Sequence, residues 1–147
     1  MGRNTDRFVD TKKYLSGIRR MSIIIANREM EKAKWEALAC DVSTKIKEDV
    51  VQTSPNYDKI GDYATEIVMI EKEIERCQKR KMQIIKQIEA MPNVNHVMAL
   101  SMVYIRDMSP DDMAAERERC KRTIQRNLNA AYKEFENLYG GTYMVTP

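Results

Sequence analysis

The sequence predicts an all-α protein: a long antiparallel helical hairpin, coiled-coil-like, followed by a small three-helix module that contains a helix-turn-helix. Two long segments carry apolar residues at alternating steps of four and three, which is the spacing of a heptad seam. A segment with proline and glycine separates them, and three shorter helix patterns follow. The hairpin is predicted for residues 1–91, the module for residues 92–139 and a flexible tail for residues 140–147.

The first long helix is predicted from the seam that begins at Tyr14 and ends at Ile46. Such a helix is about 50 Å long at 1.5 Å per residue, and with a single apolar stripe it needs a partner to be stable. Charged residues in a seam cost stability unless they pair or mark a partner. The seam is apolar except at its middle and consists of Tyr14, Ile18, Met21, Ile25, Arg28, Lys32, Trp35, Ala39, Val42 and Ile46.

The second long helix has the same alternation of steps from Tyr63 to Met91. A bend is predicted between Glu48 and Asp62, with turn-forming residues at 53–56 and Gly61 as a helix breaker. The aperiodic segment 52–57 is predicted to be mobile and to adapt to a partner. Folding back within the chain and homodimerisation through the hairpin use the same pattern, so both remain open.

The module begins after Met91-Pro92, because proline disfavours helical geometry in the residue before it. A dense apolar pattern predicts one helix from Val94 to about Asp107. Ser109 is a predicted N-cap, with proline next and two aspartates after it, for a short helix that ends near Arg117. A last helix is predicted for residues 121–138, and Gly140-Gly141 is predicted to end it.

Basic residues concentrate at the start of this last helix. Residues 117–126 hold five cations and one acid, Glu118. A recognition helix presents its N-terminal residues to base edges and phosphates in the major groove, so this pattern favours DNA binding. Ile124 and Leu128 are predicted to face inward. The predicted DNA-binding residues are Arg119, Lys121, Arg122, Thr123, Gln125 and Arg126.

Catalysis, metal binding and membrane insertion are not expected. The chain has no glycine-rich phosphate loop and no Gly-x-Ser-x-Gly motif. Its three cysteines are widely spaced and His96 is the single histidine, so a zinc site lacks ligands. No apolar run approaches the roughly 20 residues of a membrane span. We therefore expect a soluble, cytoplasmic protein without cofactors.

Segments of the second half resemble the region-four helix-turn-helix of sigma factors: 104–109, Met113-Ala114, 120–124 and Ala130-Ala131. The whole chain is similar to small sigma-like regulators of phages and prophages in Gram-positive bacteria (ArpU/RinA type). In those proteins a long helical half with a "VQ-S" motif precedes the module, and Val51-Gln52-Thr53-Ser54 matches that motif. The resemblance implies a phage transcriptional regulator in the bacterial cytoplasm that binds double-stranded DNA, with host RNA polymerase as a further partner.

The chain departs from that family pattern at the turn. Arg117 and Glu118 stand where the family usually has an apolar residue and then glycine, and Cys120 replaces the serine that caps the recognition helix. Arg117-Glu118 offers no glycine for a left-handed residue, which leaves open whether the angle between the two helices suits the major groove. The alternative is one continuous helix from Ala114 to Arg126, which would prevent docking on DNA.

A second function remains open beside DNA binding. A non-enzymatic helical interaction protein, such as a phage-encoded inhibitor of a host nucleic-acid enzyme, would share the all-α fold and the basic surface. It would lack sequence-specific binding to duplex DNA.

Overall fold

The computed structural model describes residues 7–48 and 56–144, with side chains for residues 7–42 and 59–144. These ranges contain five helices and no strand, so the all-α prediction is confirmed. The helices are α1 (Val9–Glu48), α2 (Asn56–Glu89), α3 (Val94–Tyr104), α4 (Pro110–Arg117) and α5 (Lys121–Tyr143). Within the described residues, contacts divide the chain into a first unit, residues 7–20 and 81–144, and a second unit, residues 21–48 and 56–80.

In the second unit, α1 and α2 run antiparallel. Arg28 Nε lies 3.1 Å from Glu73 Oε2, and Lys32 Nζ lies 3.3 Å from Glu71 Oε1. Further along α1, the ring of Trp35 contacts that of Tyr63, with centroids 5.4 Å apart. The two charges in the predicted seam are therefore satisfied by glutamates of α2. Among the described side chains of this unit, only Ile70 and Cys77 are buried, so its apolar core is thin.

The first unit holds the main hydrophobic core. The start of α1 and the end of α2 approach closely here, since a methyl group on Gly17 would lie 3.1 Å from Ile84 Cδ1. Helix α5 packs on α3, on α4 and on the start of α1. All five helices contribute buried side chains, among them Leu15, Ile18, Ile84, Ile88, Leu100, Met102, Met113, Ile124, Leu128, Tyr132 and Phe135.

The two units defined by contacts do not meet at the predicted boundary between residues 91 and 92. They meet between residues 20 and 21 and between residues 80 and 81. Residues 7–20 and 81–91 group with α3, α4 and α5 rather than with the rest of the long helices. The reason is the shared core, in which Leu15 and Ile88 are fully buried in one cluster with Phe135.

Both glycine stop signals were wrong. Gly61 lies inside α2, where its carbonyl accepts a hydrogen bond from Thr65 Oγ1 at 2.9 Å. Gly140 and Gly141 lie inside α5, which continues to Tyr143. Glycine costs a helix interior only about 1 kcal/mol relative to alanine, so contacts from the following turn outweigh it.

Contacts of Tyr143 explain why α5 continues. Its ring stacks on that of Tyr14 at a centroid distance of 4.4 Å, and its hydroxyl lies 2.8 Å from Thr11 Oγ1. Thr11 is completely buried. The predicted tail is therefore helical at residues 140–143, and residues 145–147 lie outside the described residues. The "VQ-S" motif and most of the predicted mobile segment also lie outside them, whereas Asn56 and Tyr57 already belong to α2.

Candidate nucleic-acid interface

Helix α4 has the caps and ends that its sequence predicts. The N-cap Ser109 accepts a hydrogen bond from the backbone N–H of Asp112 at 3.1 Å, and Pro110 is the first helical residue. Met113 is buried against the core, and the helix ends at Arg117. Local capping chemistry thus determines where this helix starts.

Glu118 makes the turn between α4 and α5 in the left-handed conformation, with φ 52° and ψ 44°. Its N–H donates to the Ala115 carbonyl at 3.3 Å, and the N–H of Arg119 donates to the Ala114 carbonyl at 3.0 Å. These bonds satisfy the last carbonyls of α4 as a C-terminal glycine motif would. The alternative of one continuous helix through residues 114–126 is therefore wrong, and the turn forms without glycine.

Helix α5 begins at an exposed N-terminus. The N-cap Cys120 is extended and makes no side-chain cap hydrogen bond, and the first turn of α5 contains no acid. The thiol instead lies 3.2 Å from Thr123 Oγ1, and this hydrogen bond lowers the pKa of Cys120. A helix N-terminus carries partial positive charge and free N–H groups, which favour an anion.

The predicted DNA-binding residues differ in their exposure and partners. Thr123 is half-buried, whereas the other five are exposed. Lys121 Nζ lies 2.5 Å from Asp111 Oδ1 and so links α5 to the start of α4. Gln125 donates from Nε2 to Asn129 Oδ1 at 3.0 Å. Lys121 and Thr123 are therefore engaged within the module, and the remaining cations are better placed to meet a ligand.

The outer face of α5 carries a line of cations, which we call the basic stripe: Arg122, Arg126 and Lys133. All three are exposed and lie on the side opposite the buried Ile124 and Leu128, as predicted for the first two. The stripe spans about 16 Å of the helix axis. None of the three forms an ion pair with any residue in the part of the chain that the structure describes.

Sequence reasoning missed Lys133, because it lies beyond the cation-rich segment 117–126. The signal was present in the spacing of the stripe. Arg122, Arg126, Asn129 and Lys133 follow one another at steps of four, three and four, and no acid interrupts them. Residues at such steps share one face of a helix.

Two other cations of the first unit, Arg106 and Arg19, pair with acids. Arg106 holds Glu116 with two hydrogen bonds, of 2.7 and 2.9 Å, and Arg106 lowers the pKa of that carboxyl. Arg19 Nη2 lies 2.7 Å from Asp107 Oδ1. These two ion pairs neutralise Arg106 and Arg19, whereas Arg122, Arg126 and Lys133 keep their positive charge unpaired among the described residues.

Two polar contacts fix α5 against α3. The hydroxyls of Tyr104 and Tyr132 lie 2.8 Å apart in the core, and burial raises the pKa of both. His96 Nδ1 contacts Glu134 Oε2 nearer the surface. Because buried hydroxyls are costly to leave unpaired, the tyrosine pair specifies how α5 packs on α3, and hence which face of α5 is exposed.

Within residues 7–48 and 56–144, no cluster of three His, Cys, Asp or Glu side chains is arranged to hold a metal ion. No helix in the same ranges is both long enough and apolar enough to span a membrane.

Comparison of the chain with known proteins identifies its family. No curated protein matches the chain, and no solved structure matches it. One family model matches residues 41–136, which cover the end of α1, all of α2, α3 and α4, and most of α5. The chain therefore belongs to the family described as "Protein of unknown function (DUF1492)".

Proposed function

We propose that this protein is a phage- or prophage-encoded transcriptional regulator that binds duplex DNA through α5, with host RNA polymerase as a further partner. The observation that carries the DNA-binding part is the basic stripe, three exposed cations on one face without an intervening acid. The phage and polymerase parts rest on the resemblance of residues 51–54 and 104–124 to sigma-like regulators.

The arrangement of charge on α5 supports a polyanionic ligand. Arg122 and Arg126 lie one turn apart, and like charges at this spacing destabilise an isolated helix by about 0.2–0.5 kcal/mol. Neither forms an ion pair with a described residue that would offset this cost. Phosphate groups supply the missing negative charge, and the exposed N-terminus of α5 offers further N–H donors to them.

The turn at Glu118 supports the same interpretation. It separates α4 from α5 and leaves the first residues of α5 exposed, as a recognition helix requires. In this arrangement Arg119, Arg122, Arg126 and Lys133 contact phosphates, and the exposed Gln125 is the best candidate for a base contact. Glutamine pairs with adenine through two hydrogen bonds, each good pair being worth about 1–3 kcal/mol of discrimination.

The proposal is tested with charge-removing variants in a duplex-binding assay. We expect R122A/R126A to bind more weakly and to reduce the log–log salt slope by about 1.8, or 0.9 for each lost phosphate contact. The matched control is R80A, which removes an exposed arginine from the second unit. Equal binding by R122A/R126A and R80A would refute the role of the stripe.

A non-enzymatic interaction protein is the second candidate, and one observation favours it. Large apolar side chains of the second unit are exposed, among them Ile23, Met30 and Met69. If the protein binds no duplex DNA at low salt, the interaction-protein function is favoured over DNA binding.

A further inference from the structure

Helix α1 has a second apolar face besides the one that packs on α2. Six residues at alternating steps of three and four are all apolar and form what we call the outer stripe of α1. All six are exposed, with Ile23 at 56 % and Met30 at 73 %. The outer stripe consists of Ile23, Ala26, Met30, Ala33, Ala37 and Cys40.

The outer stripe lies on the side of α1 that faces away from α2. Met30 is two residues from both Arg28 and Lys32, which corresponds to a rotation of about 200° around the helix. Arg28 and Lys32 pair with glutamates of α2. The contacts between α1 and α2 therefore leave the outer stripe uncovered.

We propose that the outer stripe pairs with the same stripe of a second copy of this chain, forming a parallel two-stranded coiled coil. Spacing at steps of three and four over residues 23–40 is the heptad pattern that such pairs use. Alanines at three of the six positions allow the two helices to approach closely, and Met30 is flexible enough to fill the remaining space.

Charges beside the outer stripe fit a second copy. In heptad notation, Ile23 and Met30 occupy position a. Glu29 then occupies position g, and Lys34 occupies position e. In a parallel pair, g of one helix lies beside the e position five residues later on the other. Glu29 of each copy then meets Lys34 of its partner. Both side chains are exposed, and neither forms an ion pair with any residue in the described ranges.

The opposite orientation fits less well. In an antiparallel pair, g positions face each other, so Glu29 would meet Glu36 of the other copy twice. The parallel pair alone has the two Glu29–Lys34 attractions. It also brings Glu36 of each copy beside Asp41 of the other, a like-charge contact that occurs twice. Lys32 Nζ lies 3.7 Å from Glu36 Oε1 and moderates that repulsion.

The first test is the mass of the full chain in solution, by sedimentation equilibrium over a wide range of protein concentration. We expect wild type to approach the mass of two chains and M30E to remain at the mass of one. The matched control is M69E, which places the same charge at an exposed methionine of α2, 60 % exposed, and is expected to dimerise. A monomeric wild type, or equal behaviour of M30E and M69E, overturns the proposal.

The second test is a charge swap between Glu29 and Lys34. E29K and K34E each place like charges across the proposed interface and are expected to weaken dimerisation. The double variant E29K/K34E restores both pairs and is expected to restore the dimer. Failure of the double variant to recover dimerisation, with helix content unchanged by circular dichroism, overturns the parallel pairing.

Discussion

Replacing Glu118 by glycine is expected to stabilise the protein. The residue is left-handed, at φ 52° and ψ 44°, and its side chain is exposed. A left-handed residue with a Cβ costs about 1–2 kcal/mol, which glycine does not incur. Glycine loses about 0.5–1 kcal/mol through the greater freedom of the unfolded chain. The net gain in the free energy of unfolding is therefore between about 0 and 1.5 kcal/mol, with a central value of about 0.75 kcal/mol.

Urea denaturation of wild type, E118G and E118A measures this difference. E118A is the control, because it removes the same side chain but keeps the left-handed strain. We expect E118G to unfold at a higher urea concentration than E118A, with an unchanged dependence on urea. An E118G protein that is no more stable than E118A would contradict a left-handed residue between α4 and α5.

Three further predictions concern the first unit. Y132F leaves the buried hydroxyl of Tyr104 without its partner and is expected to lower the free energy of unfolding by about 1–3 kcal/mol. The double variant Y104F/Y132F should lose less, and a double-mutant cycle without coupling would refute the pair. Burial raises the pKa of both hydroxyls, so the unfolded chain loses these protons at a lower pH than the folded protein does. The free energy of unfolding should therefore fall as pH rises above the ordinary pKa of 10.0, and this fall should be smaller in the double variant. G141A, with no atom within 4 Å of its new methyl group, should gain up to about 1 kcal/mol, and G140A should gain less because Met144 Sδ lies 3.1 Å away; loss of stability in G141A would mean that α5 ends earlier. I84A should cost about 2–5 kcal/mol in thermal or urea unfolding, and an unchanged midpoint would remove Ile84 from the core.

Local signals in the sequence predicted the start of α4 correctly. Ser109 and Pro110 specify its start through hydrogen bonding and a fixed φ, and both effects act within one turn of helix. The helix ends predicted at Gly61 and Gly140 were wrong. A glycine is also a local signal, but its cost of about 1 kcal/mol is small beside tertiary contacts such as those of Tyr143.

The turn at Glu118 could not be decided from local signals. Without glycine, propensity alone allowed a continuous helix. Met113 on α4 and Ile124 on α5 are both buried in one core, and burying such a side chain contributes about 1.5–3 kcal/mol. Two gains of this size exceed the cost of one left-handed residue, so packing determines the turn.

The candidate site was predicted in part. The direction of Arg122 and Arg126 followed from the inward face of Ile124, which periodicity reveals. The engagement of Lys121 with Asp111 could not be foreseen, since it depends on the angle at which α4 meets α5. The outer stripe of α1 was not predicted, because a single heptad seam already accounts for one partner helix and α1 has a second apolar face.

Duplex binding as a function of salt tests the central claim most directly. Labelled duplexes, including one from upstream of the protein's own gene, are titrated with the full chain at about 50 and 200 mM salt, a range over which phosphate contacts lose much of their affinity. We predict binding at the lower salt, a steep loss at the higher salt, and a shallower slope for R122A/R126A than for wild type. Absence of binding to every duplex at the lower salt would contradict the account.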